Sequence, residues 1–165
     1  VAVLEVLHWP DERLRQVSEE VVLFDAALRA FIGDLEATRQ AGPSAVGIAA
    51  PQVGYHRRIV IVDCSRTRKP VPHHGHLVLI NPEILSREGY ALGREGCLSV
   101  PDYTGNVPRA EHIRLRALDP AGGIHEYDME DFEARVVQHE IDHLNGRVFL
   151  DRVVNRRADV FRRKR

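Results

Sequence analysis

Late in the chain, Gln138-His139-Glu140-Ile141-Asp142-His143 sets an H-E-x-x-H inside a segment that carries the marks of a helix. Asp128 suits the N-cap, Glu130, Asp131 and Glu133 put negative charge into the opening turns, and Gly146 suits the C-terminal stop. The helix is therefore expected over 128–146. At 3.6 residues per turn, His139 and His143 stand about 40° apart on one face and one turn apart in height. Phe132, Val136, His139 and His143 follow one another at spacings of four, three and four, so both imidazoles sit in an apolar stripe that Val137, Ile141 and Leu144 widen. Glu140 falls between these groups and is aimed at the interior, while Gln138, Asp142 and Asn145 occupy the other side. A carboxylate facing apolar surroundings without a partner is costly. A cation and its water, shared by the two imidazoles, would supply that partner. The plain alternative is a pair of core histidines beside a salt-bridged glutamate.

A catalytic zinc-type site takes three protein ligands and keeps one position open. The metzincin register needs His where this chain has Phe149, and no Glu follows Glu140, so a familiar downstream ligand is missing. The third ligand is expected upstream. There, Glu95-Gly96-Cys97-Leu98-Ser99-Val100-Pro101 places a cysteine after a glycine and before a short apolar run, which suits an extended strand with close backbone approach. A thiolate at Cys97 would be a strong ligand for a soft or borderline cation, although a buried inert thiol is the commoner fate of a cysteine. Cys64 is read as that inert kind.

The rest of the chain reads as a single domain over 1–165. Its 44% hydrophobic content supports a core and its 28% charged content keeps that core in water. No apolar run reaches the roughly 20 residues of a membrane span, and no basic stretch followed by a long apolar one marks a signal peptide. A cytoplasmic chain is expected, and one with two cysteines is not expected to bridge them. Trp9-Pro10-Asp11 opens a short turn or helix. Asp25 caps a helix with Leu28, Phe31, Ile32 and Leu35 on one face, ended by Gly42-Pro43. Strands follow at 59–62 and 77–80, and a hairpin runs from the alternating Ile113, Leu115 and Ala117 through 119–123 into 124–127. The segment 66–76, with His73, His74 and His76, reads as a solvated loop rather than a metal site. A helix, then strands, then a late helix argues for an α+β fold.

With these residues in view, the chain resembles the peptide deformylases. Three blocks carry the likeness in the family's order: Gly47-Ile48-Ala49-Ala50-Pro51-Gln52-Val53-Gly54, the 95–101 block, and 138–146. The resemblance implies mixed or antiparallel sheets packed around a central H-E-x-x-H helix, with an N-terminal and a C-terminal helix. It implies Cys97, His139 and His143 as metal ligands, Glu140 as catalytic carboxylate, and Gln52 with the Leu98 backbone N–H as oxyanion donors. The implied reaction removes the formyl group of N-terminal formyl-methionine from new polypeptides, with Fe²⁺ in the cell and Zn²⁺, Ni²⁺ or Co²⁺ as replacements. The backbone at Val46, Gly47 and Gly96 would pair with the peptide, and Phe132 and Val136 would line the methionine pocket.

The chain departs from commoner family members at Ala45, where the first motif often has glycine, and at Thr104, where many carry arginine. From 151 to 165, seven basic residues stand against Asp151 and Asp159, resembling the terminal helix that some members dock on the ribosome. Asp142 is expected to pair with Arg109. Two other classes compete: an H-E-x-x-H metallopeptidase, and a non-catalytic relative that retains a metal. The intact Glu140, Gln52 and Cys97 argue against the second.

Overall fold

The computed structural model of the protein describes residues 1–43 and 45–163. Helix α1, Ala26–Ala41, starts where the Asp25 side chain accepts from the Leu28 N–H at 2.9 Å and ends at Gly42, as expected. Strands β1 (Gly47–Ala49), β2 (Ile59–Asp63), β3 (His76–Glu88), β6 (His112–Leu118) and β7 (Ile124–Glu130) form one five-stranded antiparallel sheet in the order β1-β2-β3-β6-β7. Strands β4 (Ala91–Cys97), β5 (Val100–Arg109) and β8 (Val160–Arg162) form a second, in the order β4-β5-β8. Helix α2, Asp131–Leu144, carries the H-E-x-x-H. The α+β architecture follows the sequence reading.

Strand alternation explains the layering. Along β2, Ile59 and Ile61 belong to one core with Leu28, Ile32 and Leu35 of α1, while Val60 and Val62 belong to another with Ala134, Val137, Ile141 and Leu144 of α2. Successive strand residues point to opposite faces, so an all-apolar strand is what a sheet covered on both sides requires. A third cluster, with Val100, Val107 and Phe149, fills the second sheet. Burying each such side chain contributes about 1.5–3 kcal/mol.

Several boundaries differ from expectation, each for a local reason. The helix begins at Asp131, with Glu130 as a cap that makes no side-chain bond, rather than at Asp128. Asp128 lies in β7 and accepts from Arg114 Nη1 at 2.8 Å. The alternation of β7 runs on through Met129, which is 1% exposed, and that burial outweighs the capping preference of Asp128. Strand β3 continues well past Ile80, crossing a register shift at Asn81-Pro82, where Asn81 adopts φ 50° and the proline needs no ladder donor. The side of α2 expected to be polar is buried: Gln138 clamps the Ala110 backbone through Nε2 to the carbonyl (2.9 Å) and Oε1 from the N–H (3.0 Å). The expected C-terminal helix is a single turn, Arg156–Asp159, after which the chain turns into β8; Lys164 and Arg165 of the basic tail lie outside the described residues. The loop 66–76 is anchored rather than merely solvated. His74 donates through Nδ1 to Glu133 at 2.6 Å, and His76 Nε2 lies 2.7 Å from Glu36.

Candidate metal centre

Helix α2 brings His139 and His143 one turn apart, with ring centroids 5.0 Å from each other. Strand β4 ends at Cys97 directly opposite. The Cys97 sulfur and one nitrogen of each histidine lie within 4.8 Å of one another, and Cys97 Sγ is 3.3 Å from His143 Nε2. The extended β4 segment expected at Cys97 is what delivers this sulfur. Both cysteines are free thiols. Cys64 sits in the core with its thiol pushed up to about 12, chiefly by burial and also by Glu133 and Asp63.

Burial works against charge on the Cys97 thiol, but the neighbouring His143 and His139 outweigh it and hold the thiol well below its ordinary range. Burial likewise opposes charge on His139, yet the Cys97 sulfur, Glu140 and Glu95 push that imidazole well above its usual value. Three acidic groups, Cys97, Glu95 and Glu140, thus stand around the two imidazoles. Glu140 is 4% exposed, and its Oε1 has no hydrogen-bond partner among the described residues. Burial is the main reason its carboxyl lies above the ordinary carboxylate range. A thiolate with two imidazoles is a borderline-soft donor set, and the unpartnered Glu140 oxygen beside it suits a cation and its water. The residues present fit such a metal.

The surroundings hold these groups in place. His139 donates through Nδ1 to Glu95 Oε1 at 2.8 Å, which leaves Nε2 for the centre. Glu95 also accepts from Arg109 Nε (2.9 Å) and Nη2 (3.0 Å) and from Arg135 Nη1 (2.7 Å). Arg109 bridges on to Asp142 at 2.6 Å, the pair expected from the sequence, and Arg152 joins it at 2.9 and 3.0 Å. This buried row of alternating charges was not legible in advance beyond the Arg109–Asp142 step. Glu95 sits two residues before Cys97 in a block already singled out, and that position was the one available signal.

Gln52, 1% exposed, accepts from the Ala49 N–H through Oε1 (2.9 Å) and donates through Nε2 to Ser99 Oγ (3.0 Å), with Cys97 Sγ 3.4 Å away. Its amide therefore reaches the centre from a fixed direction. A cleft of about 610 Å³ opens over Cys97, His139 and Glu140, and Val46, Gly47, Gly96, Leu98, Phe132 and Val136 all line it. Both strands that bound this cleft, β1 and β4, are edge strands of their sheets. A Cβ on Gly47 would stand 2.7 Å from Glu140 Oε2, so the close approach of β1 to the helix needs glycine there. A second hollow of about 700 Å³, beneath the 66–76 loop, lies away from this chemistry, and the buried Glu133 on its wall is already bonded to His74.

Such a fold, with three side chains placed to hold one metal ion and a buried acid at the foot of an open cleft, is the arrangement a metal-dependent hydrolase needs. Comparison with known proteins narrows the class. Residues 3–159 match the polypeptide deformylase family. The chain is 44% identical over 164 residues to the peptide deformylase of Alkalilimnicola ehrlichii, covering 99% of this chain and 89% of that one. It is 43% identical over 153 residues to that of Chromobacterium violaceum, covering 93% and 88%. Among solved structures, a class I type b peptide deformylase from Acinetobacter baumannii with Met-Ala-Ser bound superposes with a TM-score of 0.87 at 37% identity, covering 92% of this chain and 99% of that one. The enzyme from Legionella pneumophila gives 0.83 at 40%, covering 92% and 86%. The chain belongs to the polypeptide deformylase family, metal-dependent hydrolases that take the N-formyl group off new formyl-methionine peptides.

Proposed function

We propose that Cys97, His139 and His143 hold one divalent cation, Fe²⁺ in the cell with Zn²⁺, Ni²⁺ or Co²⁺ able to replace it, and that Glu140 carries the proton of the deformylation. The observation behind this reading is the unpartnered, buried Glu140 Oε1 beside three ligand atoms that lie within 4.8 Å of one another. When bound, the cation would polarise the formyl carbonyl and bring the pKa of a water down toward about 7. Glu140 accepts the proton of the attacking water and hands it to the departing α-amine. Gln52 Nε2 and the Leu98 backbone N–H donate to the formyl oxygen as negative charge grows there. Losing one such donor typically costs about 2.7–4 kcal/mol.

The peptide lies in the cleft between β1 and β4 and pairs with the backbone at Val46, Gly47 and Gly96, an arrangement that two unpaired sheet edges suit. Phe132 and Val136, on the same helix face as the histidines, take the methionine side chain. Residues 1–165 act as one catalytic unit. The substrate is made by bacterial-type translation, which places the reaction in the cytoplasm of a bacterium, a phage or organelle origin being the alternative. The exposed Arg156, Arg157 and Arg162 of the tail are the candidates for ribosomal contact; unchanged co-sedimentation with ribosomes after their replacement by Ala would refute that role.

The deciding assay is formate release from formyl-Met-Ala-Ser by the iron-loaded protein, with Glu140→Ala alongside. Wild type is expected to release formate, and the variant to lose about 10²–10⁴ in kcat while keeping its metal. Cleavage of an unformylated peptide with no formate released would instead identify a metallopeptidase.

A further inference from the structure

The open side of the cleft is charged by a residue from the far end of the chain. Strand β8 adds to the outer edge of β5, with Phe161 opposite Thr104, and the Arg163 N–H donates to the Asp102 carbonyl at 2.8 Å. Phe161 is anchored in turn, because the Arg94 guanidinium lies 3.8 Å over its ring centroid while bonding to Asn106 and Thr104. From this fixed backbone position the Arg163 side chain turns back across the sheet to Gly96. Its Nη2 lies against the position that a Cβ on Gly96 would take, closer than a side chain there would allow, and the Thr104 methyl is 3.5 Å from that same point. The short Thr104 side chain and the bare Gly96 Cα thus leave room for the guanidinium. Arg94 and Arg163 both line the cleft. Among its other charged walls, Glu95 and Arg135 are bonded to each other at 2.7 Å, and Glu140 lies buried at the floor. The exposed charge on the β4 side is therefore positive.

Backbone direction fixes what this charge would meet. Glu95 and Cys97 both reach histidines of α2, and although the β4–β5 ladder shifts register between them, the Cβ direction of the intervening Gly96 turns away from the helix, toward Arg163 and Thr104. A peptide added to β4 with its methionine side chain toward α2 turns its second side chain to that same side. We infer that Arg163 is a specificity-determining residue that favours an acidic side chain directly after the formyl-methionine and disfavours a basic one. This rests on the deformylase reading of the site. It adds charge selection to a cleft that otherwise reads main chain.

The test compares formyl-Met-Asp-Ala-amide with formyl-Met-Lys-Ala-amide, both capped so that no terminal carboxylate competes. Wild type, loaded with metal, is expected to favour the aspartyl peptide about fivefold in kcat/KM, carried by KM and shrinking with added salt. Arg163→Glu should reverse the order and Arg163→Lys should keep it. A purely structural role for Arg163 would not reverse a substrate preference. The inference is overturned if the Asp/Lys ratio of Arg163→Glu stays within about twofold of wild type, or if the preference lies in kcat alone. Failure of wild type to release formate from either peptide would instead remove the deformylase reading, and this inference with it.

Discussion

Glu140 owes its position to a residue that has no side chain. With a methyl on Gly47, the contact to Glu140 Oε2 would be 2.7 Å and that to Val136 Cγ1 3.1 Å, so either the carboxylate or β1 must shift. Misplacing a reacting group by about 1 Å can cost on the order of 10²-fold in rate. Gly47→Ala is therefore expected to lower kcat for formate release by about that factor with metal content unchanged, measured by steady-state kinetics and metal analysis. Retention of full activity would show that Glu140 tolerates displacement. At this scale the sequence was informative where the geometry is local. The i, i+4 histidines and the intervening glutamate follow from helix pitch alone. The partners of Glu95 could not be read that way, because Arg109, Arg135 and His139 stand 14, 40 and 44 residues away along the chain.

Helix α2 is buried on nearly every side, and its polar groups find partners in the chain: Asp142 in Arg109 of β5, His139 in Glu95 of β4, and Gln138 in the Ala110 backbone. Arg109 is the keystone, with Glu95 on one flank and Asp142 on the other, all within the interior. Breaking a buried ion pair from one side costs about 3–5 kcal/mol. Arg109→Ala should fall near the lower end, because Arg135 and Arg152 still face the two carboxylates. Denaturant unfolding should report that loss, together with weaker metal retention. If both were unchanged, Arg109 would not be supporting the site. The pH dependence has a definite sign. Burial raises Asp142, but Arg152 and Arg109 outweigh it and hold its carboxyl below the usual 3.8. A carboxyl depressed by folding adds stability that is fully present above its unfolded pKa of about 3.9 and is lost as pH falls through the lower folded value. Acid unfolding of the wild type should show this loss below pH of about 4, and Arg109→Ala should show less of it. Element existence was legible, since α1, the 59–62 strand and the 113–127 hairpin follow from apolar period and caps. The start of α2 and the end of β3 were not, because tertiary burial of Met129 and a bulge at Asn81-Pro82 overrode local signals.

At the scale of the whole molecule, the site exists only because two separate sheets meet at one helix. The five-stranded sheet supplies β1, the three-stranded sheet supplies β4, and α2 lies between their edges. Cys97 and the histidines are 42 and 46 residues apart in the chain, so their convergence is a property of the fold. Three separated sequence blocks foretold that convergence by family likeness, whereas residue chemistry alone left Cys97 open between ligand and inert thiol. The tail shows the opposite case: its basic composition was plain, but its entry into the second sheet as β8 depends on pairing with β5. The most direct test of the metal centre is the absorption spectrum of the cobalt-loaded protein. A near-ultraviolet thiolate-to-cobalt charge-transfer band is expected in wild type and in Cys64→Ser, and absent in Cys97→Ser. A band that survives Cys97→Ser, or disappears with Cys64→Ser, would contradict the account.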